Sequence, residues 1–450
     1  MEKEVKVIRK RSENKKSVSS GYEFPDSMIR YPENSKKISD IRAEALGFFK
    51  QANVPEKHEE AWRRTSLEHL DGKKFIVQPS DGSEIRIPES IMDPMGSGEQ
   101  AGQIILSQGY VKKDISDDLR KQGIIFTDLL DAEKNQPEIM EKIFSQIVKP
   151  NDGYFSALAT AYAQTGILLY VPKNTHVETP LHSILWAEKE NDAVISHVMV
   201  YLDENASATF VHEVTSPQDM EEEISHIGNV EIYVGNHANL KFVELQSWGN
   251  NVLNFTHERS SVDGDGELEW VFGAVGSKLT KNFTDVDLVG KGAIAKVSGF
   301  YFTNGTQHLD LDTQQNHLAE NTTSDLLYKG ALLDKSRSVW QGMVYVAPGA
   351  QKTDGYQANR NLVLDREARA DAIPGLEILA DDVRCSHGAT VGQIDATQTF
   401  YLESRGIPKL EAAKLVVEGF FDDIMQRIPF EGIRQRFQDA IHEKMTTFHL

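Results

Sequence analysis

The sequence predicts a mainly β protein: a solenoid of repeated strands with helical regions before and after it. Three observations carry this. Between residues 166 and about 395 the apolar runs are short and rich in β-branched and aromatic residues, as at 167–171, 194–202, 230–234, 240–245, 268–272 and 297–302. That is the composition of strands. A tight polar turn, a small residue and then alternation into a strand recur at 204–210, 235–242, 264–270 and 290–297, with a weaker echo at 334–340. The small residue falls at 206, 238, 266 and 292, a spacing of 26 to 32 residues. Stacked coils have such a period, because each coil buries the apolar face its neighbour exposes. A β-sandwich shares part of the pattern and stays open on periodicity alone.

Taken in order, residues 1–20 are Lys/Arg-rich with no apolar stretch and read as a basic, disordered tail. Residues 21–165 read as mainly helical. Ile41, Ala45, Leu46, Phe48 and Phe49 lie near helical spacing within 38–52, and Pro55 stops that run. A short charged segment follows around Trp62, then a turn-rich stretch with Asp81-Gly82, then an amphipathic helix over 133–147 ahead of Pro150. The solenoid core takes 166–395. Residues 396–450 return to helix, with Leu410, Ala413, Val417, Phe420, Phe421 and Ile424 near helical spacing, Pro429 as a stop and a second helix over 432–448. Solenoids need capped ends, and the two helical regions are expected to supply the caps.

The bulk composition narrows the function. With 450 residues, 40% hydrophobic and 26% charged, the chain has the make-up of a large globular protein. One cysteine excludes an internal disulfide framework and suits a reducing compartment. No run approaches the roughly 18 consecutive apolar residues of a membrane span, and the acids at Glu2, Glu4 and Glu13 argue against a targeting peptide. The cytoplasm, with no membrane partner, is the expectation. A net charge of −20 argues against nucleic acid, whose binders neutralise phosphate with a basic surface.

Most catalytic motifs fail. Gly273-Ala-Val-Gly276-Ser277-Lys278 lacks the glycine directly before lysine that a P-loop needs, and no helix pattern follows it. The 263–267 segment fails as a calcium loop, and no nucleophile elbow or His-Glu-x-x-His pair is present. Two segments remain. In 307–314, alternation puts His308, Asp310, Asp312 and Gln314 on one strand face with His317 just beyond. Such a face suits a metal or paired carboxylates for acid–base work, or else it is a solvated polar ladder. In Cys385-Ser386-His387 the only cysteine and a histidine two residues on share one side of a strand. Thiolate and imidazole suit zinc, copper and iron–sulfur centres. Iron–sulfur clusters usually take four ligands, so a partner would have to complete such a site. The alternative is a small buried hydrophobe beside a hydrogen-bonded histidine.

At these residues the chain resembles a family. The segments Cys385-Ser386-His387-Gly388-Ala389-Thr390 and Phe400-Tyr401-Leu402-Glu403-Ser404-Arg405-Gly406-Ile407 carry the resemblance, together with residues 341–353, 359–365 and 374–378. So does the run from Pro55 to Thr65 around Trp62. In this order they resemble the SufB/SufD family of the SUF machinery for building iron–sulfur clusters. SufB members carry a cysteine directly after the Phe-Tyr pair; Leu402 stands there, so the chain looks like the SufD branch. The resemblance implies a right-handed parallel β-helix core flanked by helical regions. It implies a scaffold without catalysis, paired with a SufB-type paralogue and with SufC, an ABC-type ATPase that binds the ATP. It makes His387 a candidate ligand for a transient cluster at the SufB interface, with no cofactor held by the chain alone. It places SufC docking on the last helices, at Leu410, Val417, Phe420, Phe421 and Ile424. Cys385, His308, Asp310, Asp312 and His317 are secondary site candidates. Exposed solenoid edges also invite a homodimer in isolation. Two rivals stand beside this reading: a purely architectural SufD subunit, and a β-helix enzyme acting on polysaccharide through Asp310 and Asp312.

Overall fold

Two parallel sheets face each other along the molecule, and the chain winds between them, leaving one strand in each per turn. This is a parallel β-solenoid with helices on both sides of it in sequence. The structure, a computed structural model, describes residues 19–77, 87–92, 101–107 and 109–446. The first sheet runs in the order Val383–Gly392, Thr353–Val363, Thr323–Leu332, Ile294–Thr303, Glu267–Ala274, Asn239–Ser247, Ser207–Thr215, Leu181–Trp186, Gly102–Ser107, Tyr110–Ile115. The second runs Arg369–Ile378, Arg337–Val346, His308–His317, Leu279–Leu288, Val252–Val262, Ile224–Val234, Ala193–Leu202, Thr165–Val171, Ile125–Asp128.

The recurring turn is the corner from the second sheet to the first. Asn205, His237, Asp265, Gly292 and Asn321 have φ of 56°, 56°, 50°, 77° and 59°, the left-handed region that Asn, Asp and Gly adopt at least cost. Their amides donate in series to Asn236, Gly264, Lys291, Glu320 and Gln351 carbonyls at 2.8–3.1 Å. Each corner is therefore bonded to the next, which is why its sequence recurs. Register aligns Ala206, Ala238 and Gly266, but the column continues at Ala293, because Glu267 pairs with Ile294. The marker expected at 292 is one residue early; Gly292 is the left-handed residue itself. The 334–340 echo lies on the opposite corner, joining Thr323–Leu332 to Arg337–Val346.

Inside, one aromatic ring per coil forms a column: Phe126 to Phe210, Phe210 to Phe242 and Phe242 to Trp270 have centroid separations of 5.7, 5.7 and 5.3 Å. Stacking of this kind adds to the burial of each ring. The outer face of the second sheet is covered by N-terminal residues: Phe155 stacks on Phe255 at 4.1 Å, and Trp62 lies 5.9 Å from Phe283. Glu231 pins this cover by accepting from the backbone amides of Ser145, Ile147 and Val148 and bonding His197 Nε2 at 2.7 Å. On the outer face of the first sheet lie the helices Lys409–Met425 and Glu431–Met445, with Phe421, Ile424 and Phe437 against Val243, Val271 and Phe300. There Glu213 plays the matching part, accepting from Arg436 at 2.7 and 2.9 Å and bonding His182 at 2.6 Å.

Four expectations change. The helical regions clasp the solenoid's two faces, because each sheet's outer side is itself apolar; of the two expected caps only the N-terminal one forms among the described residues, where Leu119, Ile124 and Phe126 close the first coil. The region 21–165 also contains three strands, Gly102–Ser107, Tyr110–Ile115 and Ile125–Asp128. The helix expected over 133–147 is two, Leu129–Asn135 and Pro137–Ile143, because Pro137 cannot donate to a continuing helix and instead starts a new one. A further helix, Tyr154–Tyr162, is buried on every residue and so lacks the amphipathic period that would reveal it. Residues 1–18 of the expected tail, the Asp81-Gly82 turn and the last residues of the final helix lie outside the described residues. Among the described residues no helix is long and apolar enough to cross a membrane.

Candidate functional site

The last coil sets the site. Val383–Gly392 pairs on one side with Thr353–Val363, and Arg369–Ile378 with Arg337–Val346; among the described residues their other edges are unpaired. Register puts Cys385 against Gly355 and His387 against Gln357. Gly355, Gln357 and Asn359 are buried inside the solenoid. Strand alternation therefore turns Cys385 and His387 toward the same interior, at its open mouth. Cys385 is half-buried and His387 exposed. Burial pushes the Cys385 thiol up, so it is held as a thiol and not as the thiolate a metal prefers. Beneath His387 in register, the buried Gln357 Oε1 has no hydrogen-bond partner in the described structure, although its Nε2 donates to Gly375 O at 2.8 Å.

Two secondary candidates meet here. A Cβ placed on Gly355 would lie 3.3 Å from both Cys385 Sγ and His317 Nε2, so the two side chains flank the space that glycine leaves empty. His317 lies on the inner face, opposite to His308, Asp310 and Asp312, because nine residues separate it from His308 and a strand's period is two. Both its ring nitrogens are engaged, by Thr322 and Ser324 hydroxyls at 2.8 and 2.9 Å. Burial lowers its pKa to about 4. It is a neutral, hydrogen-bonded side chain.

His308, Asp310 and Asp312 lie elsewhere, on the outer face, and they are not the solvated ladder that alternation allows. The N-terminal segment covers them. Lys281 Nζ sits 3.0 Å from Asp310 Oδ1 and 2.9 Å from Asp312 Oδ2, and neither Lys281 nor Asp310 is exposed. Thr65 Oγ1 bonds Asp310 and, at 2.8 Å, His308 Nε2, while Lys281 faces the Trp62 and Phe283 rings. Burial raises Asp312 to about 6 against the pull of Lys281, and burial lowers His308 to about 4. The carboxylates hold the Trp62–Thr65 segment on the sheet and present no open pair to a polymer. The polysaccharide reading loses its acidic catalysts here.

The five helix residues expected to dock a partner divide. Val417, Phe421 and Ile424 are buried against the chain's own first sheet, leaving only Leu410 and Phe420 partly accessible. The helical spacing marks the face turned inward. Leu415, 45% exposed, was missed because it lies off that stripe. Sequence reasoning also missed an apolar rim around the last coil: Tyr356, Ile378, Leu379, Val391, Phe400 and Tyr401 are all exposed, Phe400 at 70%. The signal that could have found it is the density of apolar residues after 376 without helical or alternating period. Leu402 is half-buried on the short helix Ala396–Glu403, which presents Phe400 and Tyr401. Among the described residues no three His, Cys, Asp or Glu side chains come together as a metal site. A cluster at this mouth would need ligands from beyond the described residues.

Comparison with known proteins agrees on one family over most of the chain. Residues 185–420 match the SUF system FeS cluster assembly, SufBD core domain, and residues 15–182 match the SufBD protein N-terminal region. The chain is 31% identical over 345 residues to the iron–sulfur cluster assembly protein SufD of Bacillus subtilis, covering 75% of this chain and 79% of that protein. It is 30% identical over 424 residues to SufB of the same organism, covering 91% and 90%. A SufBD family protein of Staphylococcus saprophyticus is 32% identical over 377 residues, 80% of each chain.

Proposed function

The chain belongs to the SufB/SufD family of the SUF iron–sulfur cluster assembly system, as a SufD-type member, and we propose that it is a scaffold subunit, without catalysis of its own, whose open C-terminal coil receives a SufB-type paralogue. The observation that carries this is the pair of parallel edges at Arg369–Ile378 and Val383–Gly392, unpaired among the described residues and rimmed by exposed apolar side chains. Parallel edges of this kind accept a further strand through main-chain hydrogen bonds, and the apolar rim adds burial. On one of these edge strands His387 lies exposed at the mouth. The cluster is the cargo of the joint site: His387 would offer imidazole, and the paralogue thiolate or carboxylate. Imidazole in place of thiolate raises a cluster's potential, and replacing a soft ligand favours release over storage. A SufC-type ATPase, which binds the nucleotide, would dock on the exposed side of the last two helices near Leu410, Leu415 and Phe420. A cytoplasmic setting belongs to this reading. In the absence of the paralogue the same edges would accept a second copy of the chain.

The test is reconstitution with SufB-type and SufC-type subunits, comparing the wild-type chain with His387→Ala. Retention of the complex with a fall in bound iron and acid-labile sulfide is the expected result. Equal cluster content in both would reduce the chain to an architectural subunit. Loss of the paralogue from the mutant complex would make His387 an interface residue and not a ligand.

A further inference from the structure

On the opposite sheet, beside the docked Trp62–Thr65 segment, lies a cleft of about 510 Å3 between residues 57–70 and the solenoid corner at Glu223, Lys278 and Thr306. Small-molecule sites commonly measure about 300–1,000 Å3. One wall is apolar, made by Leu253, Phe255 and Leu279. Lys57, Arg63, Arg64, Lys278 and Arg337 also line it, among neutral side chains such as Thr65, Ser66 and Thr306, and Glu223 is the one carboxylate in the lining. That is five positive side chains in a chain whose net charge is −20.

The carboxylates around the cleft do not neutralise it, because most are shared. Glu60 is the acidic neighbour of both Arg63 and Arg64, at 3.8 and 4.0 Å. Glu223 serves Lys278 and also Lys74, and Asp371 serves both Arg337 and Arg369. Glu68 meets Lys57 at 3.1 Å. Arg64 is held in place by a neutral partner, donating to Gln341 Oε1 at 3.1 Å. A concave, cation-lined site focuses its field inward even on an acidic protein. Guanidinium forks match phosphate oxygens bidentately.

We propose that this cleft binds a phosphorylated small molecule of nucleoside diphosphate size, its phosphates on Arg63, Arg64 and Lys278 and its base against the Leu253, Phe255 and Leu279 wall. A long polyanion such as RNA is disfavoured by the chain's net charge of −20. The site contains neither Cys385 nor His387 and does not rest on the cluster reading.

The experiment is calorimetric titration of the full chain, alone, with ADP, inorganic pyrophosphate and adenosine at low and at physiological ionic strength. ADP should bind at one site, pyrophosphate more weakly and adenosine not measurably, with affinity falling as salt screens the cations. Arg63 is 67% exposed at its side chain, so Arg63→Glu should leave the melting temperature unchanged while weakening ADP at least about tenfold. Lys278→Gln should act in the same direction. Failure of ADP and pyrophosphate to bind would overturn the proposal, as would wild-type affinity for ADP in both variants. Pyrophosphate binding as tightly as ADP would remove the base from the apolar wall and with it the nucleotide assignment.

Discussion

The two ends of the solenoid are built differently. At the N-terminal end each sheet finishes on a reversed strand: Tyr110–Ile115 runs antiparallel to Gly102–Ser107, and Ile125–Asp128 antiparallel to Thr165–Val171. The outermost of these carries Lys112, Lys113 and Asp114, charges that discourage another chain from adding to the edge. Phe126 enters the interior there and begins the aromatic column. At the C-terminal end both final strands are parallel to their neighbours, no reversed strand follows in the described residues, and the inward positions are Cys385 and His387 beneath an exposed apolar rim. Among the described residues one end is finished and the other is left open, and that difference is what the proposed assembly rests on.

Mutations at the two ends should separate stability from assembly. Phe126→Ala removes the first ring of the column and should cost about 3–5 kcal/mol of unfolding free energy in urea titration. A loss under about 1 kcal/mol would mean that the N-terminal seal is not part of the cooperative core. His387→Ala, exposed at the other end, should change stability by less than about 0.5 kcal/mol.

The clasp on the first sheet comes next in size. Arg436→Met leaves Glu213, 1% exposed, with a buried charge and only His182 to meet it. A loss of about 3 kcal/mol is expected. Faster amide exchange in Glu431–Met445 but not in Tyr154–Tyr162 would localise it to the C-terminal cover. Uniform exchange across both helices would contradict the separation of the two flanks.

Between the ends, the interior holds a carboxyl pair, Glu244 and Glu258, whose effect follows pH. Burial, with the neighbouring charge, raises Glu244 well above its ordinary value, and burial raises Glu258 to about 7. Both native values lie above the unfolded one, so the native state holds more protons. The stability this contributes is full below about pH 4.5 and is lost as pH rises through about 7. Glu244→Gln should flatten that decline, read as the urea midpoint at about pH 5 against about pH 8. An unchanged slope would show that the pair is not protonated in the native protein.

Much of this was legible in the sequence, unevenly. Four corners could be read because each needs a left-handed residue and then a small one; the one-residue slip at Gly292 and Ala293 escaped, since an inserted residue leaves the motif intact, as did the corner at Asn321 and the opposite placing of the 334–340 echo. The same-side placement of Cys385 and His387 followed from strand alternation, and the parity that separates His317 from His308 was also available. What could not be read was what covers what. The outer polar face of His308–His317 looked solvated because nothing local reveals that Trp62 and Thr65, some 250 residues earlier, lie over it. Likewise the apolar stripe of Lys409–Met425 could not announce whether it faced a partner or the chain's own sheet. The strand Gly102–Ser107 is buried on every residue, which removes the alternation that marks a half-buried strand.

The most direct measurement is hydrogen–deuterium exchange of the chain with and without the SufB-type paralogue. Alone, the amides of Arg369–Ile378 and Val383–Gly392 that point away from their paired strands should exchange fast. With the paralogue they should become protected, while Tyr110–Ile115 at the finished end stays unchanged. Protection at Tyr110–Ile115, or none at the last two strands, would contradict the assignment of the open end as the site of assembly.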